Sequence, residues 1–254
     1  MVSHSYPYPR PALTADAVVF TILRDHLHLL LIQRGSEPFK GCWALPGGFC
    51  QEEERSEACV LRELVEETGV RDVWMEQLKT FDAARRDPRG WVVSVAYFAL
   101  IDGAKVRLAG ATDASDARWW PIDQLPGLAF DHQEIVAYAL QRLRNKLRWS
   151  TVGSQLLPPR FTMAALQQVH EVVLGSSLDK RNFHKRMLES ETIRDTGATL
   201  ITGKRGPQPR LYEFVSRDGS VAAPVKARDT VAQLASARHR SEGVAPVAVS
   251  PRAG

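Results

Sequence analysis

Glu63, Glu66 and Glu67 lie within five residues of one another in a stretch that reads as a helix. At about 100° per residue they share one face, and Leu61, Leu64 and Val65 point roughly the other way. Three adjacent carboxylates repel, which costs stability. A divalent cation that prefers hard oxygen ligands, Mg²⁺ or Mn²⁺, removes that cost. Such an ion can neutralise a diphosphate and activate a water against it. For a bare glutamate cluster an ordinary solvated acidic face is the better account. Here, however, the glutamates sit in GFCQEEERSEACVLRELVEETGV (48–70), which fits the spacing G-x5-E-x7-R-E-U-x-E-E-x-G-U, with U a bulky apolar residue. Gly48, Glu54, Arg62, Glu63, Leu64, Glu66, Glu67, Gly69 and Val70 fill its nine specified positions. The three glutamates are the candidate catalytic and metal-ligating residues. Glu54 and Arg62 read as a structural pair tying the loop to the helix.

The elements that must position this face follow from periodicity. Residues 14–23 are rich in β-formers and read as a strand, with 24–26 a turn into a second strand at 27–33. Residues 35–48 are broken by glycine and proline, with a short strand around 43–45. The glutamate helix spans 55–68, and Gly69 can end it. Strands are expected at 91–100 and 117–121, and an amphipathic helix at 131–147. The stretch 150–160, with two prolines, reads as an interdomain connection. Helices are expected at 161–175 and 179–189, and strands around 198–202 and 210–215, joined by the basic loop GKRGPQP. The order helix, turn, helix, basic hairpin follows. From Arg217 onward little periodicity remains, and a disordered tail is expected.

Composition narrows the class. The chain has 254 residues, 44% of them hydrophobic, enough for two modest domains with real cores. No apolar run approaches the ~20 residues of a membrane span, and the N-terminus lacks a secretory pattern. Cys42, Cys50 and Cys59 have no metal-type spacing, so free thiols in a cytoplasmic protein are expected. A net charge of +4 permits contact with nucleic acid.

The spaced pattern is the Nudix box. Across residues 10–147 the chain resembles the ADP-ribose-type branch of the Nudix superfamily, through Leu31–Gly35, PFKGCWALPGGF (38–49) and RRDPRGWVVSVAYFAL (85–100). The resemblance implies that the Gly47 backbone lies near the metal and that Arg34 and Phe39 line a ligand pocket. Arg85, Arg86 and Arg89 are further ligand candidates, because the guanidinium fork suits phosphate.

In LDKRNFHKRMLES (178–190), Leu178, Phe183, Met187 and Leu188 can face a core while Lys180, Arg181, Asn182, Lys185 and Arg186 stay polar. Between Asp179 and Arg210 there are eight Lys/Arg against four Asp/Glu, concentrated at the helix start and in the loop with Lys204 and Arg205. That distribution suits a recognition helix in a major groove with a wing on phosphates. FTMAALQQVHEVVLGSSLDKRNFHKRMLES followed by GKRGPQPRLYEF resembles the winged helix of the Nudix-related regulators of NAD metabolism, the NrtR family, and 128–147 resembles that family's exit from the Nudix domain. Glu213, after the wing, stands where a basic residue would favour phosphate contact.

The resulting expectation is an α/β chain: a Nudix α/β/α sandwich over 1–149, a winged helix-turn-helix over 150–216 and a tail over 217–254. The resemblance implies a dimeric repressor of NAD-biosynthesis genes that binds a palindromic double-stranded operator. Its ligand would be ADP-ribose or a related nucleoside diphosphate, and ligand binding would release DNA through helix 131–147. A Mg²⁺-dependent ADP-ribose hydrolase is the alternative, because the box is complete.

Overall fold

The computed structural model describes residues 7–105, 117–148, 150–201, 203 and 206–215. Its centre is β1 (Ala12–Leu23), buried on both faces through most of its length. β1 turns tightly into β2 (His26–Gln33) through Arg24 and Asp25, both in left-handed backbone at φ 47° and 65°. β3 (Trp43–Ala44) and β7 (Arg118–Pro121) pair with β2, and β4 (Gly47–Phe49) pairs with the start of β1. On the other side β6 (Val92–Leu100) runs parallel to β1, with β5 (Trp74–Phe81) antiparallel at the edge.

Alternation along β1 divides the core. Ala15, Ala17 and Val19 face α1 (Ser56–Thr68) and its Val60, Leu61 and Leu64. Val18 and Phe20 face α2 (His132–Lys146) and its Ile135, Ala139 and Leu143. The result is the expected α/β/α sandwich. Gly69 ends α1 in left-handed backbone, φ 71°, with its N–H on the Val65 carbonyl.

The second unit contains β8 (Phe161–Thr162), α3 (Met163–Leu174), α4 (Lys180–Glu189), β9 (Ile193–Thr199) and β10 (Arg210–Phe214), with strand order β8-β10-β9. Thr162 caps α3 by accepting from the Ala165 N–H, and Asp179 caps α4 by accepting from the Asn182 N–H. Phe161, Met163, Leu166, Phe183 and Ile193 form its core.

Several expectations are corrected. Residues 161–162 belong to a strand, because Phe161 and Thr162 pair with β10 before the Thr162 cap starts the helix. The strand expected around 198–202 lies at Ile193–Thr199, where Ile193 anchors it in the core; Leu200 and Ile201 are exposed. Leu188, assigned to the core, is 54% exposed. β5 was not anticipated. The expected connection at 150–160 contains a 3₁₀ turn, Val152–Leu156, whose Val152, Gly153 and Leu156 are buried. Val152 and Leu156, with Val169 and Val173 of α3, extend the same apolar core that holds Leu143 and Leu147 at the end of α2. Arg144 Nε donates to the Val173 carbonyl at 3.0 Å, and Gln168 Nε2 to Asp25 at 2.6 Å. Lys204, Arg205 and the tail 217–254 lie outside the described residues.

Candidate functional site

Two glycines bring the acidic face to the sheet. A Cβ on Gly47 would stand 2.4 Å from the Ala15 carbonyl oxygen and 2.7 Å from Asp16 Oδ1; one on Gly48 would stand 2.5 Å from Glu63 Oε1. Only glycine lets β4 lie this close to both β1 and α1.

On α1, Arg62 is the hub. Its Nε and Nη2 donate to the two Glu54 oxygens, each at 2.9 Å, and its Nη1 donates to Glu63 at 2.7 Å and Glu66 at 3.2 Å. Nη2 also reaches the Phe49 carbonyl at 3.2 Å. Hydrogen bonding from Arg62 holds the Glu54 carboxyl below its ordinary range, so the loop-to-helix tie is ionic. Glu67 behaves differently. It accepts from the Gly47 N–H at 2.9 Å, yet burial, with Glu63 and Asp16 nearby, pushes its pKa up to about 8. Among the described residues no cluster of three His, Cys, Asp or Glu side chains is gathered closely enough to hold a metal ion. The donor set still suits a hard divalent cation, because Glu67 is a desolvated carboxyl beside other acids, whose charge such an ion offsets.

The cavity beside this face is lined by Arg34, Arg86 and Arg89, by Phe49 and Phe130, and at its floor by Asp16 and His132. Arg34 lies over the Phe130 ring at 4.7 Å; Arg89 lies over Phe49 at 4.6 Å and Phe130 at 5.2 Å. Phe39 does not line the cavity but meets Phe130 edge-on, with ring centroids 4.9 Å apart. Both phenylalanines hold left-handed backbone, φ 64° and 53°, a conformation that costs a bulky residue energy. Arg85, next to Arg86 in the chain, is exposed and is not among the residues lining the cavity.

Each cavity arginine has a fixed partner. Arg34 Nε donates to the Pro38 carbonyl at 2.8 Å. Arg89 forks onto Asp87 two residues away; burial raises the Asp87 pKa, but the hydrogen bonds from Arg89 outweigh it and leave the group below its usual range. Arg86 forks onto Asp131 at 2.8 and 2.6 Å. At the floor, Ser94 Oγ donates to Asp16, and His132 Nδ1 accepts from the Leu45 N–H at 2.9 Å. His132 Nε2 therefore carries the proton and faces Asp16 at 3.9 Å. Burial lowers the His132 pKa, against the pull of Asp16, and the ring is neutral. Asp16, Ser94, Asp87, Phe130, Asp131 and His132 were not anticipated as site residues.

The second surface is α4. Phe183 is 2% exposed and pins the helix against α3 through the His170 ring at 5.1 Å. Lys180, Arg181, Asn182, Lys185 and Arg186 are all exposed, so one side of the helix offers cations and an amide to solvent. Glu213 is paired with Arg194 across the β9–β10 hairpin, which accounts for an acid at that position. Among the described residues no helix is long and apolar enough to cross a membrane.

Comparisons with known proteins agree with this division. Residues 13–143 match the NUDIX domain and residues 153–214 match the NrtR DNA-binding winged helix domain. The chain is 40% identical over 215 residues to the ADPR responsive transcriptional repressor NtrR of Acinetobacter baylyi, covering 83% of this chain and 85% of that one. It is 37% identical over 142 residues to an ADP-ribose pyrophosphatase of Methanocaldococcus jannaschii, covering 56% and 76%. The crystal structure of Shewanella oneidensis NrtR complexed with a 27mer DNA is similar at a TM-score of 0.69 and 39% identity, covering 80% of this chain and 93% of that one.

Proposed function

Because the chain belongs to the NrtR family, a Nudix domain joined to a DNA-binding winged helix, we propose that it is a ligand-responsive transcriptional repressor of genes for NAD synthesis and salvage. Its effector is ADP-ribose or a related nucleoside diphosphate. The observation that carries this reading is that one apolar core runs from beside a cavity of arginines and aromatic rings to α3, against which the helix with the exposed basic side packs. Arg34, Arg86 and Arg89 suit a diphosphate, with the exposed Arg85 next to Arg86 in the chain, and Phe130, buttressed edge-on by Phe39, offers ring surface to a base or ribose. Lys180, Arg181, Asn182, Lys185 and Arg186 enter the major groove of double-stranded DNA, with Lys204 and Arg205 of the wing loop on phosphates. A homodimer on a near-palindromic operator follows from the two-fold logic of such readers, and the cytoplasm is where it works. Glu63, Glu66, Glu67 and the Gly47 carbonyl would hold Mg²⁺ or Mn²⁺, which supplies charge neutralisation of the diphosphate when bound.

The test is an anisotropy titration of a labelled duplex selected for binding to this protein, at fixed salt. Saturating ADP-ribose is expected to weaken DNA binding at least tenfold, and AMP much less, because AMP lacks the bridging diphosphate and second ribose. Tenfold needs only about 1.4 kcal/mol of coupling. An unchanged dissociation constant with ADP-ribose demonstrably bound would remove the switch.

The complete glutamate set favours a second activity of the same cavity, slow hydrolysis of ADP-ribose to AMP and ribose 5-phosphate. With excess protein and Mn²⁺, AMP is expected within hours. No AMP under those conditions would reduce the glutamates to a binding role.

A further inference from the structure

Of the three arginines that line the cavity, two are held within their own loops: Arg89 by Asp87, and Arg34 by the carbonyls of Pro38 and Ser36. Arg86 alone among them is held by α2. Its fork takes both oxygens of Asp131, and the Arg86 side chain is only 5% exposed. Asp131 is the residue that precedes α2, where an aspartate ordinarily turns its carboxylate onto the first free N–H groups of the helix. Here it makes no such bond. The carboxylate is committed to Arg86, and the Glu134 N–H falls back on the Asp131 backbone carbonyl at 2.9 Å. One side chain thus has two competing uses, an arginine from the ligand cavity or the end of its own helix.

The far end of α2 meets the DNA-binding unit. Leu143 and Leu147 share a core with Val169 and Val173 of α3, and Arg144 is bonded to the Val173 carbonyl. A shift at the start of this 15-residue helix therefore moves the surface on which α3 rests. Next to Asp131, His132 binds the Leu45 N–H beside the glycine strand, so the start of α2 is also fixed to the cavity floor.

We infer that the Arg86–Asp131 ion pair is the contact through which cavity occupancy reaches the DNA-binding domain. This rests on the regulator reading above and assigns it a device. A diphosphate entering the cavity draws Arg86 toward its own oxygens. Asp131 is released to cap α2, and the start of the helix rearranges. The paired state is the one that binds DNA, and the released state is the one that holds ligand. By linkage, a change that breaks the pair must weaken DNA binding and tighten ligand binding together.

The test uses the full-length chain with Asp131→Asn, which removes the charge but keeps a good capping residue. Glu134→Gln is the control, in the same turn of α2 and exposed. DNA affinity is read by anisotropy on the selected duplex and ADP-ribose affinity by calorimetry. Asp131→Asn is expected to bind DNA about tenfold more weakly without ligand and ADP-ribose more tightly by a similar factor. The further effect of ADP-ribose on its DNA binding should shrink correspondingly. Glu134→Gln should match wild type in both. Asp131→Asn matching wild type would overturn the inference, and so would a loss of both affinities, which signals damage without coupling. If wild-type DNA binding ignores ADP-ribose, the regulator reading itself fails, and that is seen before any variant is made.

Discussion

Raising the pH from about 6.5 to about 9 in the absence of divalent cations is expected to destabilise the wild-type chain and to spare Glu67→Gln. The folded-state pKa of Glu67 is about 8, against an ordinary 4.5, because the carboxyl is buried beside Glu63 and Asp16. Between those two values the folded chain keeps a proton that the unfolded chain has lost, so stability falls as the pH rises through the window and levels off above the folded pKa. From pH 6.5 upward the loss amounts to about 2 kcal/mol at 1.36 kcal/mol per unit. His132 and His170, whose pKa values are lowered mainly by burial, oppose this slope near pH 6.5, where their unfolded forms still bind protons, but they do so equally in wild type and Glu67→Gln. Adding Mg²⁺ or Mn²⁺ should restore the loss, because the ion binds the charged carboxylate, and its stabilising effect should grow with pH. Thermal unfolding across this range, with and without metal, decides the matter. Equal slopes and equal metal responses in wild type and Glu67→Gln would remove Glu67 from the site.

Phe183→Ala should have the second large effect. The ring fills the small core between α3 and α4, touches His170 and carries Arg186 over its face at 5.7 Å. Deleting it leaves a cavity where the helix is pinned and should cost about 3–5 kcal/mol. DNA binding should fall at least a hundredfold at temperatures where the variant is still folded. ADP-ribose binding should persist, since the cavity arginines belong to the other unit. Denaturant unfolding measures the first effect; anisotropy and calorimetry measure the other two. Undiminished DNA binding would mean that α4 is not the reading helix.

The legible parts of the molecule were those whose signal is local. α1 ends at Thr68 and is stopped by Gly69, as its glycine predicts, and runs rich in β-formers such as VVFTIL and VVSVAYFAL are strands. β5 was illegible for a physical reason. The register shifts between Gln77 and Lys79, and the buried positions Trp74, Leu78 and Phe81 therefore fall at helix-like spacing. β9 was misplaced because IRDTGAT has poor strand propensity; its pairing with β10 supplies what its composition does not. At the cavity, the glutamates carried their own pattern. Asp16 and His132 lie on a strand and a helix far apart in sequence, each with an ordinary local reading. Only the close approach of β1, β4 and α2 makes them neighbours. Phe130 and Asp131 likewise sit in a short loop, and nothing local marks the left-handed backbone of the one or the borrowed carboxylate of the other.

The buried turn at Val152–Leu156 bears on how such a protein can be taken apart or inherited. Where two domains meet through a solvated linker, recombination can exchange either half and leave the other intact. Here the seam is interior: Leu143, Leu147, Val152, Leu156, Val169 and Val173 lie in one apolar cluster that belongs to both halves. A graft that swaps only the DNA reader severs this cluster and exposes a greasy flank on α2. The sensor and the reader are therefore heritable as a unit, and any successful chimera must carry α3's apolar side along with the sensor.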